Sequence, residues 1–120
     1  MRLTRIGYWS SAPDDEWPDV NDFIDASWDA DDRARVLSHL RHGLLARAYL
    51  GRSLCRICGQ SNGSTELTDG TYLWPEGLAH YVDDHGVRLP VEFARHVGDI
   101  AQSFDDAEVD DHWWQARTGP

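Results

Sequence analysis

A chain of 120 residues is the size of one domain with a modest core. Its 41% apolar content reads as globular rather than disordered. A net charge of −10 sets the chain as a whole against nucleic acid and anionic lipid, and no apolar run approaches the roughly 18 residues of a membrane span.

The first stretch, residues 1–28, reads as an irregular acidic arm. Gly7, Pro13 and Pro18 interrupt any regular pattern, and Trp9, Trp17, Phe23, Ile24 and Trp28 stand as isolated apolar anchors. One helical turn is expected near 20–25. The opening "MRLTRIGYWSSAPDDEW" has two arginines but no apolar h-region, so no signal peptide is expected and the default location is the cytoplasm. Residues 14–32 carry nine acids and no base, whereas residues 33–65 carry six arginines and no acid. Either the two segments fold against each other, or the acidic one faces a basic partner. Every one of the 11 basic residues is arginine, which reads as coding bias rather than physical need.

Residues 29–42 predict a helix. Asp29 suits the N-cap, Asp31 and Asp32 suit the positive end of the dipole, and Arg41 and His42 suit the other end. Val36, Leu37 and Leu40 form its apolar stripe, and Gly43 is a stop. The following "LLARAYLGRSL" fits strand or helix, with a short strand preferred. "TELTDGTYLW" at 65–74 predicts a hairpin turning at Asp69-Gly70. A helix over 75–85 follows, with Pro75 at its first position, Leu78, Tyr81 and Val82 on one face, and Gly86 as its end. Pro90 opens a last long helix whose stripe is Phe93, Val97, Ile100 and Phe104. The acidic tail, 105–120, carries Trp113 and Trp114 as a short helix or a docked arm.

The sharpest chemistry lies in "LCRICGQSN". Cys55 and Cys58 are the chain's two cysteines. A cytosolic setting disfavours a disulfide, and no strand–helix βαβ unit surrounds the pair as a redox centre requires. A deaminase pattern fails because no His-x-Glu lies upstream and Leu54, not proline, precedes Cys55. His80 and His85 complete a C-x2-C-x21-H-x4-H spacing, in which both short intervals match zinc ligation. The expected ligands are therefore Cys55, Cys58, His80 and His85, around a closed structural Zn²⁺. Residues five apart on an ideal helix differ by about 140° in direction, so His85 needs a distorted last turn. Asp84 is the substitute ligand should that turn stay regular. The remaining histidines, His39, His42, His96 and His112, are expected on helix surfaces or in local packing.

The order of knuckle, hairpin and helix is similar to the ββα unit of the Cys2His2 zinc finger, with a longer spacer before the first histidine. "CRICGQSNGSTELTDGTYLWPEGLAHYVDDHGVRLP", residues 55–90, also resembles small uncharacterised bacterial proteins with a zinc knuckle, "WPEGLAHYV" being its most distinctive part. That resemblance implies a bacterial zinc-knuckle domain and brings no activity with it.

The expectation is a single α+β domain over 1–120. A zinc-containing core at 29–104 holds the knuckle, hairpin and helix, flanked by two or three further helices and the irregular arm. Its expected function is a zinc-stabilised protein-interaction module. The alternative is an acidic inhibitor or immunity-type protein that blocks a basic partner such as a nuclease. No catalytic motif is present, so no enzyme is expected. The finger-like helix bears Glu76, Asp83 and Asp84 with no arginine, which disfavours a nucleic-acid groove.

Overall fold

The computed structural model describes residues 1–49 and 51–120. Four strands and four helices form a small α+β fold. The first helix, α1, spans Ala30–Arg41, with the Asp29 carboxylate accepting the Asp32 backbone N–H as an N-cap. The chain then turns at Gly43, where a Cβ would strike Trp74 and Leu67, so only glycine lets the backbone pass this close. Strand β2, Leu44–Ala48, falls where a short strand was preferred; Leu50 of that stretch lies outside the described residues.

The hairpin forms as the Asp69-Gly70 signal predicts. β3 is Thr65–Thr68 and β4 is Tyr72–Pro75, paired antiparallel with Leu67 opposite Trp74. Gly70 has φ 92°, the left-handed conformation the turn needs. β2 pairs antiparallel with β3 and lies at the sheet's edge, all five residues exposed, with a register shift between Leu45 and Arg47. A shift of this kind twists an edge and makes it a poorer template for pairing with another chain.

Two expectations are corrected here. The arm is less irregular than its prolines suggested. Thr4–Arg5 forms a short strand, β1, running parallel to β4, through Thr4 N–H to the Thr71 carbonyl at 2.9 Å and Ile6 N–H to the Leu73 carbonyl at 3.0 Å. Two residues of strand carry too little periodicity to be seen in a sequence. The single turn near 20–25 is there, as a 3-10 turn over Val20–Phe23. The second correction is Pro75, which closes β4 instead of opening a helix. Helix α2 is Leu78–His85, with Gly77 as its N-cap. Glu76 explains the difference: its carboxylate accepts the Ser64 and Thr65 backbone N–H groups, holding the strand end to the knuckle loop.

Side chains alternate across a strand, so Leu67, Tyr72 and Trp74 share one face. On that face Trp74 and Phe93 bury completely with Val36 and Leu40 of α1 and Leu78 and Val82 of α2. The Trp74 indole donates to the Leu40 carbonyl at 3.2 Å, which satisfies its one polar atom. Helix α3, Val91–Asp105, buries Phe93 and Val97 and half-buries Ile100, but its expected stripe runs out before Phe104, which is exposed. Periodicity marks an apolar face without saying how far the neighbouring layer extends. Beyond α3, the short helix α4, His112–Gln115, is exposed throughout, with Trp113 and Trp114 stacked at 6.3 Å between ring centroids.

The acidic and basic segments meet mainly by packing, Asp15 and Trp17 facing Ser53, Leu54 and Arg56 across one hollow, with little ion pairing between them. Among the described residues one ion pair joins them, Arg35 to Asp32 at 3.6 Å, neighbours on α1. Asp25 instead binds Arg88 at 2.9 Å and Arg41 binds Asp83 at 2.9 Å. No helix among the described residues is long and apolar enough to cross a membrane.

Candidate metal centre

The knuckle is built by backbone geometry. The Cys55 N–H donates to the Gln60 carbonyl at 2.9 Å, and the Gly59 N–H donates to the Cys55 carbonyl at 2.9 Å. Leu54 and Ser61 bridge the two sides, and Gly59 takes φ 74°, folding the chain back after the second cysteine. The Ile57 N–H points at Cys55 Sγ, 3.4 Å away. Cys55 is buried and Cys58 exposed, both as free thiols. Burial pushes the Cys55 thiol up, but the backbone N–H groups of Cys58 and Ile57, then the Cys58 and His80 side chains, outweigh it and hold the group at about 7. A thiol tuned that way surrenders its proton readily to a metal.

Helix α2 brings the histidines. His80 Nε2 lies 3.4 Å from Cys58 Sγ and 3.2 Å from His85 Nε2. Ligand atoms of Cys55, Cys58, His80 and His85 all lie within 4.8 Å of one another. A tetrahedral ion with bonds of about 2.0–2.3 Å has edges of roughly 3.3–3.8 Å. The Cys58–His80 separation falls at that spacing and the His80–His85 one just under it, so these four side chains could hold a metal ion.

The distorted last turn exists. Both the Gly86 and Val87 N–H groups donate to the Tyr81 carbonyl, the latter at 3.2 Å, and Gly86 takes φ 64°. The Gly86 bond spans five residues rather than four, a π-type widening that brings positions five apart toward one side. The two imidazoles consequently meet edge to face, with centroids 4.9 Å apart. Asp84 is not in the ligand group. Its carboxylate sits 3.1 Å from His80 Nδ1, the ring nitrogen turned away from the cysteines. Metal-bound histidines commonly have such a partner, which fixes the tautomer and ring direction. Tyr81 braces the knuckle from the same helix, its hydroxyl accepting the Arg56 N–H at 2.7 Å.

The sheet face opposite Trp74 carries an arrangement the sequence did not signal. Glu66 is 1% exposed, yet lies on a strand that reads as ordinary. Tyr8 and Tyr49 donate their hydroxyls to its two carboxylate oxygens, and Arg5 donates at 2.8 Å. Burial, followed by Glu66 itself, pushes the Tyr8 hydroxyl upward, so it stays a donor. Glu66, Tyr8 and Tyr49 border a hollow of about 290 Å³, walled also by Trp9, Trp17 and Tyr81. Three donors already occupy the carboxylate, which makes Glu66 a tie between arm, sheet and β2 loop. A second group was also missed: His39 and His96, expected on surfaces or in local packing, both meet Asp69. No periodic pattern joins residues 39, 69 and 96; their meeting is purely tertiary.

No protein-family model matches the chain, and no curated protein or solved structure matches it either.

Proposed function

We propose that Cys55, Cys58, His80 and His85 hold a structural Zn²⁺ and that the chain is a zinc-stapled protein-interaction module. The observation that carries the first half is the convergence of two sulfurs and two imidazoles, all within 4.8 Å of one another, with His80 Nε2 3.4 Å from Cys58 Sγ and 3.2 Å from His85 Nε2. Sulfur and imidazole together favour zinc over the oxygen-seeking cations. Four protein ligands leave no position for water, which is the pattern of structural rather than catalytic zinc. The ion would join the knuckle to α2, adding its binding energy to a small core. Native mass spectrometry of the reduced chain tests this. One zinc lost on chelation, with unfolding of the knuckle, is expected; a chain that stays folded and metal-free with both thiols reduced overturns it.

A protein partner is supported by the apolar side chains left outside. Leu44 and Leu45 on the edge strand, Phe104, Val109, Trp113 and Trp114 are all exposed. A specific observation favours the inhibitor-type reading as the second. Asp14, Glu16, Asp19, Asp22, Asp29 and Asp31 are exposed, and none forms an ion pair among the described residues. Such a field speeds encounter with a basic surface and selects for it. Co-purification at low and high salt tests it. One basic protein retained in stoichiometric amount supports the reading, and retention of nothing basic at low salt rules it out.

A further inference from the structure

We propose that His39, Asp69 and His96 form a second metal site, open where the cysteine–histidine site is closed, for a divalent first-row transition ion. The three residues come from α1, the β3–β4 turn and α3, so the fold itself brings them together. His39 Nε2 and His96 Nε2 each lie 2.8 Å from the same oxygen, Asp69 Oδ2. All three ligand atoms lie within 4.8 Å of one another. Adjacent ligands on an octahedral ion with bonds of about 2.1 Å are roughly 3.0 Å apart, so the two 2.8 Å edges lie close to that spacing, and the two histidine nitrogens, within 4.8 Å of each other, set the third edge.

The carboxylate is prepared for this. Its other oxygen, Oδ1, accepts the Thr71 and Tyr72 backbone N–H groups at 2.9 and 2.8 Å, which fixes the plane and leaves Oδ2 to face the imidazoles. The Asp69 side chain is 8% exposed and pairs with no arginine among the described residues. The turn amides and the imidazoles already stabilise the ionised carboxylate, and a dication between the two imidazoles would be paired with that buried negative charge. The rings of Tyr72, Trp74 and Phe93 stand around the histidines at centroid distances of 4.9–6.2 Å. Such an apolar rim lowers the local dielectric and strengthens the ion's hold.

Two neutral imidazoles and one carboxylate make an N2O set. That set suits Fe²⁺, Mn²⁺, Co²⁺ or Zn²⁺ and leaves at least one coordination position for water or an exogenous oxygen ligand. With one carboxylate against a dication the site is net positive, so an anionic oxygen ligand is the natural occupant of the open position. The histidine side chains are 15% and 21% exposed, enough for an ion to enter from one side.

The test uses the full chain, reduced, with one equivalent of Zn²⁺ already added. Co²⁺ is then titrated and followed by absorption and equilibrium dialysis. A further equivalent of bound Co²⁺ without thiolate-to-cobalt charge transfer is expected. Asp69→Asn keeps a side-chain oxygen for the two turn amides, and His96→Gln changes a partly exposed helix position. Each should lower Co²⁺ affinity at least tenfold while zinc stoichiometry at the cysteines stays at one. His42→Ala, on the exposed end of α1, should change neither. A zinc-loaded wild-type chain that takes up no further Co²⁺ overturns the proposal. So does undiminished uptake by both folded variants, which would leave the three residues as a hydrogen-bonded cluster. Failure here leaves the cysteine site untouched, because thiolate charge transfer reports that one separately.

Discussion

Replacing Asp84 with alanine separates two roles that spacing alone could not. In the structure Asp84 reaches His80 Nδ1 at 3.1 Å and leaves Nε2 to face Cys58 and His85. Removing a partner of that kind lowers metal affinity by about 10–100-fold. The Asp84 side chain is 55% exposed, so solvent screens the contact and the low end applies: about tenfold, or about 1.4 kcal/mol. Removing a ligand costs more. Sharing about 10–16 kcal/mol of structural zinc affinity among four ligands gives about 2.5–4 kcal/mol each, or roughly 10²–10³-fold. Zinc affinity measured by competition with a chromophoric chelator, at pH 7 with thiols reduced, should rank wild type above Asp84→Ala and that above His80→Ala. Asp83→Ala is the internal control, because Asp83 binds Arg41 instead. The reasoning is refuted if Asp84→Ala matches His80→Ala, which would make Asp84 a ligand, or if it matches wild type, which would make the contact idle.

The glycines of the two helices should respond oppositely. A Cβ at Gly77 would land on Asn62, whose amide donates to the Gly77 carbonyl at 3.1 Å, so Gly77→Ala should cost about 1–3 kcal/mol in urea unfolding. Gly98 sits inside α3 with open space at its Cβ, so Gly98→Ala should stabilise by about 0.5–1 kcal/mol in the same assay. Trp74→Ala empties the centre of the core and strips a donor from the Leu40 carbonyl; a loss of about 3–5 kcal/mol is expected, read from the urea midpoint. Asp25 predicts a pH dependence. The Ser27 hydroxyl, then Arg88 and the Ser27 N–H, hold its carboxyl at about 2, against 3.8 for the free group. Because the folded value is the lower one, this stabilisation is complete above about pH 4 and fades as pH falls toward 2. The stability deficit of Asp25→Asn, measured by thermal melts at stepped pH, should therefore be present at pH 6 and shrink toward zero near pH 2.

Local physics was written plainly in several segments. Asp29 caps α1 as its side-chain chemistry dictates, Asp69-Gly70 turns the hairpin, and Gly86 ends α2, each a decision made within a few residues. The interval C-x2-C with H-x4-H was equally local, and it named the four side chains that converge. The distorted last turn that His85 needs was foreshadowed by Gly86, and it forms through the bonds from Gly86 and Val87 to Tyr81; its convergence with cysteines more than twenty residues away is what folding adds. Pro75 was misplaced because the tie from Glu76 to Ser64 and Thr65 reaches more than ten residues away in sequence. Glu66 looked like any strand carboxylate until Arg5, Tyr8 and Tyr49 closed over it from two other parts of the chain. His39, Asp69 and His96 share no motif and no period, and only the packing of α1 and α3 around the hairpin turn makes them neighbours. Short-range spacing decides what the chain is locally able to form, whereas which distant side chains share a charge or an ion depends on layers that exist only after folding.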